Sequence, residues 1–269
     1  MTDPLAAAQS MTRLSTAAPA RLRGVAVNDA SATSAGPGQW RLQLALEAWR
    51  SEDGPVRLQR LMLHQPVDDA AFERQRDALT PYRVLDLRVR LLEDSIPGTP
   101  QALLEQVVGF DDADAELRAH AEALQQPVTH EDPQLGVFTL DRRVGWFCAH
   151  TAWRGREIEL QLEADQPDEV AAALQAAHAL WADDAAWEQR VRAYAVEQLL
   201  PLKNEYWLDE DEAPLTPEAF TARMTLRSIG LTPEGGFDFW HDDGDLFGGH
   251  AIRISGSLAT GPSEADIPG

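Results

Sequence analysis

The chain has 269 residues and a formal net charge of −21, from 44 acidic and 23 basic side chains. Such an excess of negative charge argues against a nucleic-acid partner and against electrostatic docking on an anionic membrane. Hydrophobic residues make up 44% of the chain, which is enough for a core, and the length allows one large domain or two modest ones. The single cysteine, Cys148, excludes an intramolecular disulfide and any site with several cysteine ligands.

The negative charge is concentrated in the second half of the chain. Residues 131–269 hold 26 acidic and ten basic side chains, and they hold six of the eight tryptophans. Residues 1–20 have neither the basic nor the apolar segment of a signal peptide, so we expect a flexible tail and a cytoplasmic protein. No run of residues approaches the roughly 18 apolar positions of a membrane-spanning helix.

The first half predicts a small α+β domain over residues 21–125. Apolar and polar residues alternate in several segments, which is typical of half-buried strands. The predicted strands are 21–27, 40–48, 56–64 and 85–91, with a loop at 30–38 and a helix at 68–79. Thr99 and Pro100 suit a helix start, and they predict two short helices that are split near Gly109. The second of these carries Leu117, Ala121 and Leu124 at helical spacing.

Residues 126–134 read as a linker, because they contain two prolines and no periodicity. A second α+β domain follows over residues 135–258, with three strands, a helical block and three more strands. This order predicts an antiparallel sheet packed on helices, and we expect residues 259–269 to be a flexible tail. The predicted strands are 135–140, 144–153, 156–163, 223–231, 236–241 and 250–258.

The strongest candidate site is the segment from His241 to His250, which holds three aspartates and two histidines between predicted strands. Carboxylates and imidazoles can bind a divalent cation, and the candidate ligands are Asp242, Asp243, Asp245 and His250. The spacing does not fit a calcium-binding loop. The sequence favours a structural interpretation, in which Asp243-Gly244 forms a turn and the aspartates accept hydrogen bonds from loop amides.

A second candidate lies where the helical block ends. Asn204, Glu205 and Trp207 precede an acidic run at residues 209–212. They could line a binding pocket with Trp207 as a wall. The alternative, which acidic runs favour, is a helix end with an aromatic anchor and a solvated loop.

The sequence offers little for catalysis. Cys148 lies mid-strand with His150 on the same face, but its surroundings are acidic and aromatic, so we expect an inert thiol. The chain has no GxSxG, Walker or GxGxxG motif, so nothing supports a hydrolase elbow or a nucleotide-binding loop.

Several motifs of the second half follow one another in a recognisable order. They are Leu135-Gly136-Val137-Phe138-Thr139-Leu140-Asp141, then Trp146 and Trp153, then Leu202 to Leu208, then Phe237 to His250. This succession resembles the bacterial domain-of-unknown-function family 2262 over about residues 135–258. The most specific part is the Asp-Gly-Asp-Leu-Phe stretch from Asp243, followed by Gly249-His250. The resemblance implies no established activity.

We therefore expect a soluble bacterial protein that binds without catalysis and recognises a basic protein partner, as an immunity protein does with a toxin. The alternative is a divalent-metal-dependent hydrolase that uses the 241–250 loop, with Glu205 as a possible base. A third interpretation is that the polar motifs only hold the fold together. No cofactor is expected apart from that cation, and the sequence does not predict the oligomeric state.

Overall fold

A computed structural model describes residues 12–36, 38–52, 54–93, 99–164, 166–210 and 212–269. The chain divides into two compact units, Met1–Pro127 and Val128–Gly269. Both contain strands and helices, so the predicted two-domain α+β class is confirmed. Most of the expected N-terminal tail, residues 1–11, lies outside the described residues. Residues 12–16 form a helical turn whose Leu14 is fully buried, and the first strand begins at Pro19.

The N-terminal unit is built on a barrel. Its strands are β1 (Pro19–Ala26), β2 (Ser31–Gly36), β3 (Gln39–Ser51), β4 (Leu61–Val67), β5 (Val84–Leu92) and β6 (Gln101–Phe110). The order is β1-β5-β6-β4-β3-β2, and β1 also pairs with β3, which closes five strands into a barrel. Only β4 and β6 pair in parallel within this unit. A closed five-strand barrel with this order has the topology of an OB fold.

Two helices of the N-terminal unit begin at aspartates, as helix capping predicts. Helix α1 (Asp69–Ala78) begins after Asp68, whose side chain accepts a hydrogen bond from the backbone of Ala71 at 2.7 Å. Helix α2 (Ala115–Leu124) begins after Asp114 and buries Leu117 and Ala121. The predictions of a helix at 68–79 and of a second helix through Leu117 are therefore confirmed.

Two predictions for this unit are wrong. Residues 31–36, expected in a loop, form β2 because they pair with β3 through the backbone. Residues 101–110, expected in a helix after Thr99-Pro100, form β6, which pairs with β5 on one side and β4 on the other. Ala102 and Leu104 alternate into the core, so pairing on both edges overrides the local helix signal.

The C-terminal unit has one sheet of eight strands in sequence order. These are β7 (Thr129–Asp132), β8 (Gly136–Asp141), β9 (Trp146–Trp153), β10 (Arg156–Leu162), β11 (Thr225–Leu231), β12 (Gly236–Asp242), β13 (Ile252–Ser257) and β14 (Gly261–Asp266). Every neighbouring pair is antiparallel except β10 and β11. Three helices connect these two strands: α3 (Pro167–Trp181), α4 (Asp184–Tyr206) and α5 (Pro217–Arg223).

The sheet has one more strand at each edge than the sequence predicts. Residues 129–132, expected in a linker, form β7, and residues 261–266, expected in a flexible tail, form β14. Both segments are mostly polar and lack a hydrophobic alternation, because an edge strand is held mainly by backbone pairing. The helices pack on one face of the sheet, and among the described residues of this unit no helix packs on the other face. Within the described chain, no helix is long and apolar enough to cross a membrane.

Candidate functional site

Asp243 organises the loop over residues 243–251 that joins β12 and β13. Its side chain is buried, and Oδ2 accepts hydrogen bonds from the backbone amides of Phe247 at 2.7 Å and Gly249 at 3.1 Å. Oδ1 accepts a third from the amide of Asp245 at 3.2 Å. A carboxylate occupied by three amides has the geometry of a loop cap, as the structural interpretation requires.

The structure does not bring the other candidate ligands together with Asp243. Asp242 forms an ion pair with Arg227 on β11, and Asp245 is exposed with a φ of 63°. The His250 ring packs edge-on against Trp207, with 5.9 Å between the ring centroids. Among the described residues, no three histidine, cysteine or acidic side chains are placed to hold a metal ion.

Lys203, which the sequence-based reasoning missed as a site residue, is the centre of a polar network. It is 1% exposed, and its Nζ donates to the carbonyl of Trp207 at 2.6 Å and to Glu212 Oε2 at 2.5 Å. Arg223 donates to Glu212 Oε1 at 2.9 Å and to the carbonyl of Gly244 at 2.7 Å. The hydrogen bond from Lys203 lowers the pKa of Glu212. One signal could have identified Lys203: it is the only lysine in the chain.

Gly244 permits the contact between the 243–251 loop and helix α5. Its φ is 54°, and a Cβ atom at this position would lie 2.5 Å from the carbonyl oxygen of Arg223. Any other residue would strain the backbone and clash, so glycine is required here.

The residues before the acidic loop also have structural contacts. The Asn204 side-chain amide donates to the carbonyl of Leu215 at 3.0 Å and accepts from its amide at 2.8 Å. Trp207 packs edge-on against Phe247, with ring centroids 5.6 Å apart. Glu205 is exposed and has no ion pair or hydrogen bond with a described residue. These three side chains line neither of the two clefts described below.

Cys148 faces the side of the sheet opposite the described helices of this unit. With His150 and Glu159 it lines a small cleft of about 360 Å³. Burial raises the pKa of its thiol to about 11, and the negative charges of Glu159 and Asp141 add to this effect. The thiolate that a nucleophile needs is therefore scarce at neutral pH.

The same face of the sheet, opposite the helices of the C-terminal unit, carries a row of carboxylates. Strand β10 alternates, so Ile158, Leu160 and Leu162 are buried in the core while the intervening side chains point to the opposite face. We call four carboxylates on this side the acidic sheet face: Glu157, Glu159, Glu163 and Asp238. A Cβ atom on Gly230 would lie 3.0 Å from Glu163 Oε1 and 3.8 Å from the Cβ of Asp238, so this glycine of β11 lies between the two acids.

The charge on the acidic sheet face is not neutralised by nearby arginines. Arg227 is engaged by Asp242, and Arg253 lies 3.2 Å from Asp266. None of the four carboxylates forms an ion pair with a described residue. Burial raises the pKa of Glu163, and the negative charge of Asp238 raises it further.

A larger cleft of about 810 Å³ lies on the helical side of the sheet, and we call it the arginine cleft. Glu188 lies in its wall and accepts hydrogen bonds from the Trp153 indole at 2.9 Å and from Arg192 Nε at 2.6 Å. Although burial opposes the effect, these bonds lower the pKa of Glu188. The cleft is lined by Trp153, Arg154, Arg156, Ile158, Glu188, Gln189, Arg192, Ala193, Val196, Pro217, Glu218, Thr221 and Leu226.

His241, a predicted site residue, lies in the core beside this cleft. It is 1% exposed, and neither ring nitrogen makes a hydrogen bond, although the backbone of Phe239 and Ile252 is close to the ring. Burial lowers its pKa to about 4, and the opposite charges of Glu188 and Arg192 act on it as well. Its strand partner Leu226 lines the cleft.

Two similar solved structures are forms of the single-stranded DNA binding protein from Thermus aquaticus. A deletion mutant is 14% identical, with a TM-score of 0.25, and the match covers 54% of this chain and 74% of that protein. The wild-type structure is also 14% identical, with a TM-score of 0.23, and the match covers 54% and 72%. No curated protein matches the chain.

The sequence-based exclusion of nucleic acid, which rests on net charge alone, is corrected. The two similar structures carry the name of a single-stranded DNA binding protein. The N-terminal barrel has OB topology, and that fold hosts oligonucleotide binding in other proteins. Net charge alone therefore does not exclude this class of partner.

Family comparison accounts for both halves of the chain. Residues 19–124 match a domain of unknown function, DUF7021. Residues 132–267 match DUF2262, described as an uncharacterized protein conserved in bacteria, which confirms the resemblance and widens its range. The chain belongs to the DUF2262 family.

Proposed function

We propose that this chain is a non-catalytic binding protein that recognises a cationic partner protein through the acidic sheet face. The observation that carries the proposal is the pair of carboxylates on either side of Gly230, Glu163 and Asp238. The negative charge of Asp238 raises the electrostatic cost of ionising Glu163, and no described arginine forms an ion pair with either. A lysine or arginine of a partner would relieve that repulsion.

The surroundings of the pair favour a protein partner. Trp240, half-buried, lies on the same side of β12 as Asp238; the Arg253 guanidinium lies over its ring at 5.6 Å, and the rest of the ring offers apolar contact area. Small residues of β11, Ser228 and Gly230, separate the carboxylates of β10 from Asp238 on β12, and the Glu163 carboxylate lies over Gly230. Negative potential over an open face also steers a cationic protein and raises its association rate.

The hydrolase alternative finds less support in the geometry. Its best candidate ligand, Asp243, is occupied by loop amides, and Asp242 is paired with Arg227. The thiol of Cys148 is held protonated. Binding without catalysis is therefore the function that the arrangement of these groups favours.

Two variants of equal charge test the proposal. The face variant carries the substitutions E157Q, E159Q, E163Q and D238N. The control variant substitutes exposed acids that lie elsewhere in the unit, with E197Q, E205Q, E210Q and E234Q. Binding of a fluorescent decalysine peptide is measured by anisotropy at about 50 mM and about 300 mM salt. At about 0.5 kcal/mol for each exposed charge, we expect the face variant to bind about 30-fold more weakly at low salt.

The control variant should bind like the wild type, and the difference should shrink at high salt. Equal affinity of the two variants would overturn the proposal, because net charge rather than this face would then determine binding. A partner captured from cells should follow the same pattern. If nuclease treatment abolishes capture, the result contradicts the proposal and indicates a nucleic-acid partner. If a chelator abolishes capture, the result contradicts the proposal and indicates a metal site.

A further inference from the structure

The arginine cleft lies on the helical side of the same domain, away from the acidic sheet face. We infer that the arginine cleft binds a small organic anion with a carboxylate or phosphate group and an apolar body. Arg154 and Arg156 hold the anionic group, and Ile158, Val196 and Leu226 contact the apolar part.

The size and lining of the cleft suit such a ligand. Its volume of about 810 Å³ falls within the range of small-molecule sites, roughly 300–1,000 Å³. Such sites combine an apolar wall with a few polar groups that fix orientation. Here the wall is formed by aliphatic side chains, and the polar groups are arginines and glutamates.

The charges in the cleft favour an anion. Glu188 is neutralised by Arg192 and accepts a hydrogen bond from the indole of Trp153. Glu218 lies at the start of helix α5, where a hydrogen bond from its own backbone amide lowers its pKa. Arg154 and Arg156 form no ion pair or hydrogen bond with any residue that the structure describes, and the three arginines of the cleft outnumber its two glutamates. Guanidinium groups are suited to bidentate binding of carboxylate and phosphate.

The turn between β9 and β10 fixes the position of these arginines. Arg154 has a φ of 50° and Gly155 a φ of 78°. Such a two-residue turn favours asparagine or aspartate at its first position, so arginine is placed there against the local backbone preference. Its neighbours belong to paired strands, and the two guanidinium groups therefore project from a rigid hairpin rather than from a loose loop.

His241 gives an independent indication that this region has a role beyond packing of the core. A buried imidazole without a hydrogen bond lowers stability, and an apolar side chain would fit among Phe239, Ile252 and Leu226. The ring instead lies within the electrostatic influence of Glu188 and Arg192, the pair that forms the polar wall of the cleft. A polar group kept in the core at this position is typical of a functional site.

Titration with phenyl phosphate and benzoate tests the inference, with benzyl alcohol as the uncharged analogue. The readout is the indole N–H signal of Trp153 in a ¹H–¹⁵N spectrum, assigned with the Trp153→Phe variant, because this group donates to Glu188 in the cleft. We expect a saturable shift with at least one anion and none with benzyl alcohol. A preference between the two anions identifies the ligand as a phosphate or a carboxylate.

The matched variants are R154Q/R156Q and R142Q/R143Q, which remove the same charge from two neighbouring hairpin turns. We expect the first to raise Kd for the anion about tenfold or more and the second to leave it unchanged. The inference is overturned if neither anion shifts the signal, if benzyl alcohol binds as tightly, or if both variants weaken binding equally.

Discussion

Replacing His241 with leucine tests the description of the core beside the arginine cleft. The wild-type ring is buried, makes no hydrogen bond and has a pKa of about 4. An unpaired buried polar group costs about 1–3 kcal/mol, so we expect His241→Leu to stabilise the C-terminal unit by about 1 kcal/mol or more at pH 7.

The pH dependence of the free energy of unfolding provides a more specific test. The folded-state pKa of His241 lies below its unfolded value of about 6.5, so its stability contribution is full above pH 6.5 and is lost as pH falls towards 4. Linkage over this interval predicts that the wild type loses about 2.5 kcal/mol between pH 7 and pH 4.5 through this group alone. The free energy of unfolding of the leucine variant should therefore exceed that of the wild type by about 3.5 kcal/mol at pH 4.5.

Urea unfolding followed by tryptophan fluorescence measures both values, since six of the eight tryptophans lie in the C-terminal unit. The control is His130→Leu, which alters an exposed ring on the edge strand β7. For this control we expect the same stability difference at both pH values. A pH-independent effect of His241→Leu, or a loss of stability at pH 7, would refute the reasoning and indicate a hydrogen-bonded ring.

Three further predictions follow from the contacts described above. Lys203→Met should lower the free energy of unfolding by about 2–4 kcal/mol in urea titrations, because it removes two hydrogen bonds of a buried ammonium. Gly244→Ala should lower it by more than about 2 kcal/mol, because the new Cβ atom meets the carbonyl of Arg223 and φ is positive. Alkylation of Cys148 by iodoacetamide should be slow at pH 7 and should accelerate up to about pH 11, as the thiolate forms.

The first two of these have a control in the same unit. For Lys203 it is Glu205→Gln, two residues along the chain and exposed, where we expect little change. For Gly244 it is Gly249→Ala, which has a positive φ but nothing within 4 Å of its Cβ position, so the loss should be smaller. Comparable losses at Gly244 and Gly249 would contradict the proposed clash, and rapid alkylation of Cys148 at pH 7 would contradict its raised pKa.

The sequence predicts best where a local pattern and the tertiary environment agree. Strand β10 alternates aliphatic and polar residues, and the structure places its aliphatic residues in the core. Helix α1 begins at the aspartate that capping rules indicate. Both features depend on residues that are close in the chain.

Predictions fail where contacts distant in the chain decide the structure. Residues 101–110 form a strand because β4 and β5 lie on either side, which no local signal shows. Likewise, the segments around Lys203 and Gly244 were predicted as separate candidate sites, yet Arg223 joins them through Glu212 and a loop carbonyl. Spacing along the chain cannot reveal such a network. The arginine cleft escaped prediction for the same reason, since its lining comes from three strands, a hairpin turn and two helices.

The most direct test of binding through the acidic sheet face is the E163Q/D238N variant. Its affinity for decalysine should be about fivefold weaker than that of the wild type at about 50 mM salt, and the two should converge at about 300 mM. That result would place the cationic ligand beside the carboxylate pair on either side of Gly230. Equal affinities at low salt would contradict the proposed role of this face.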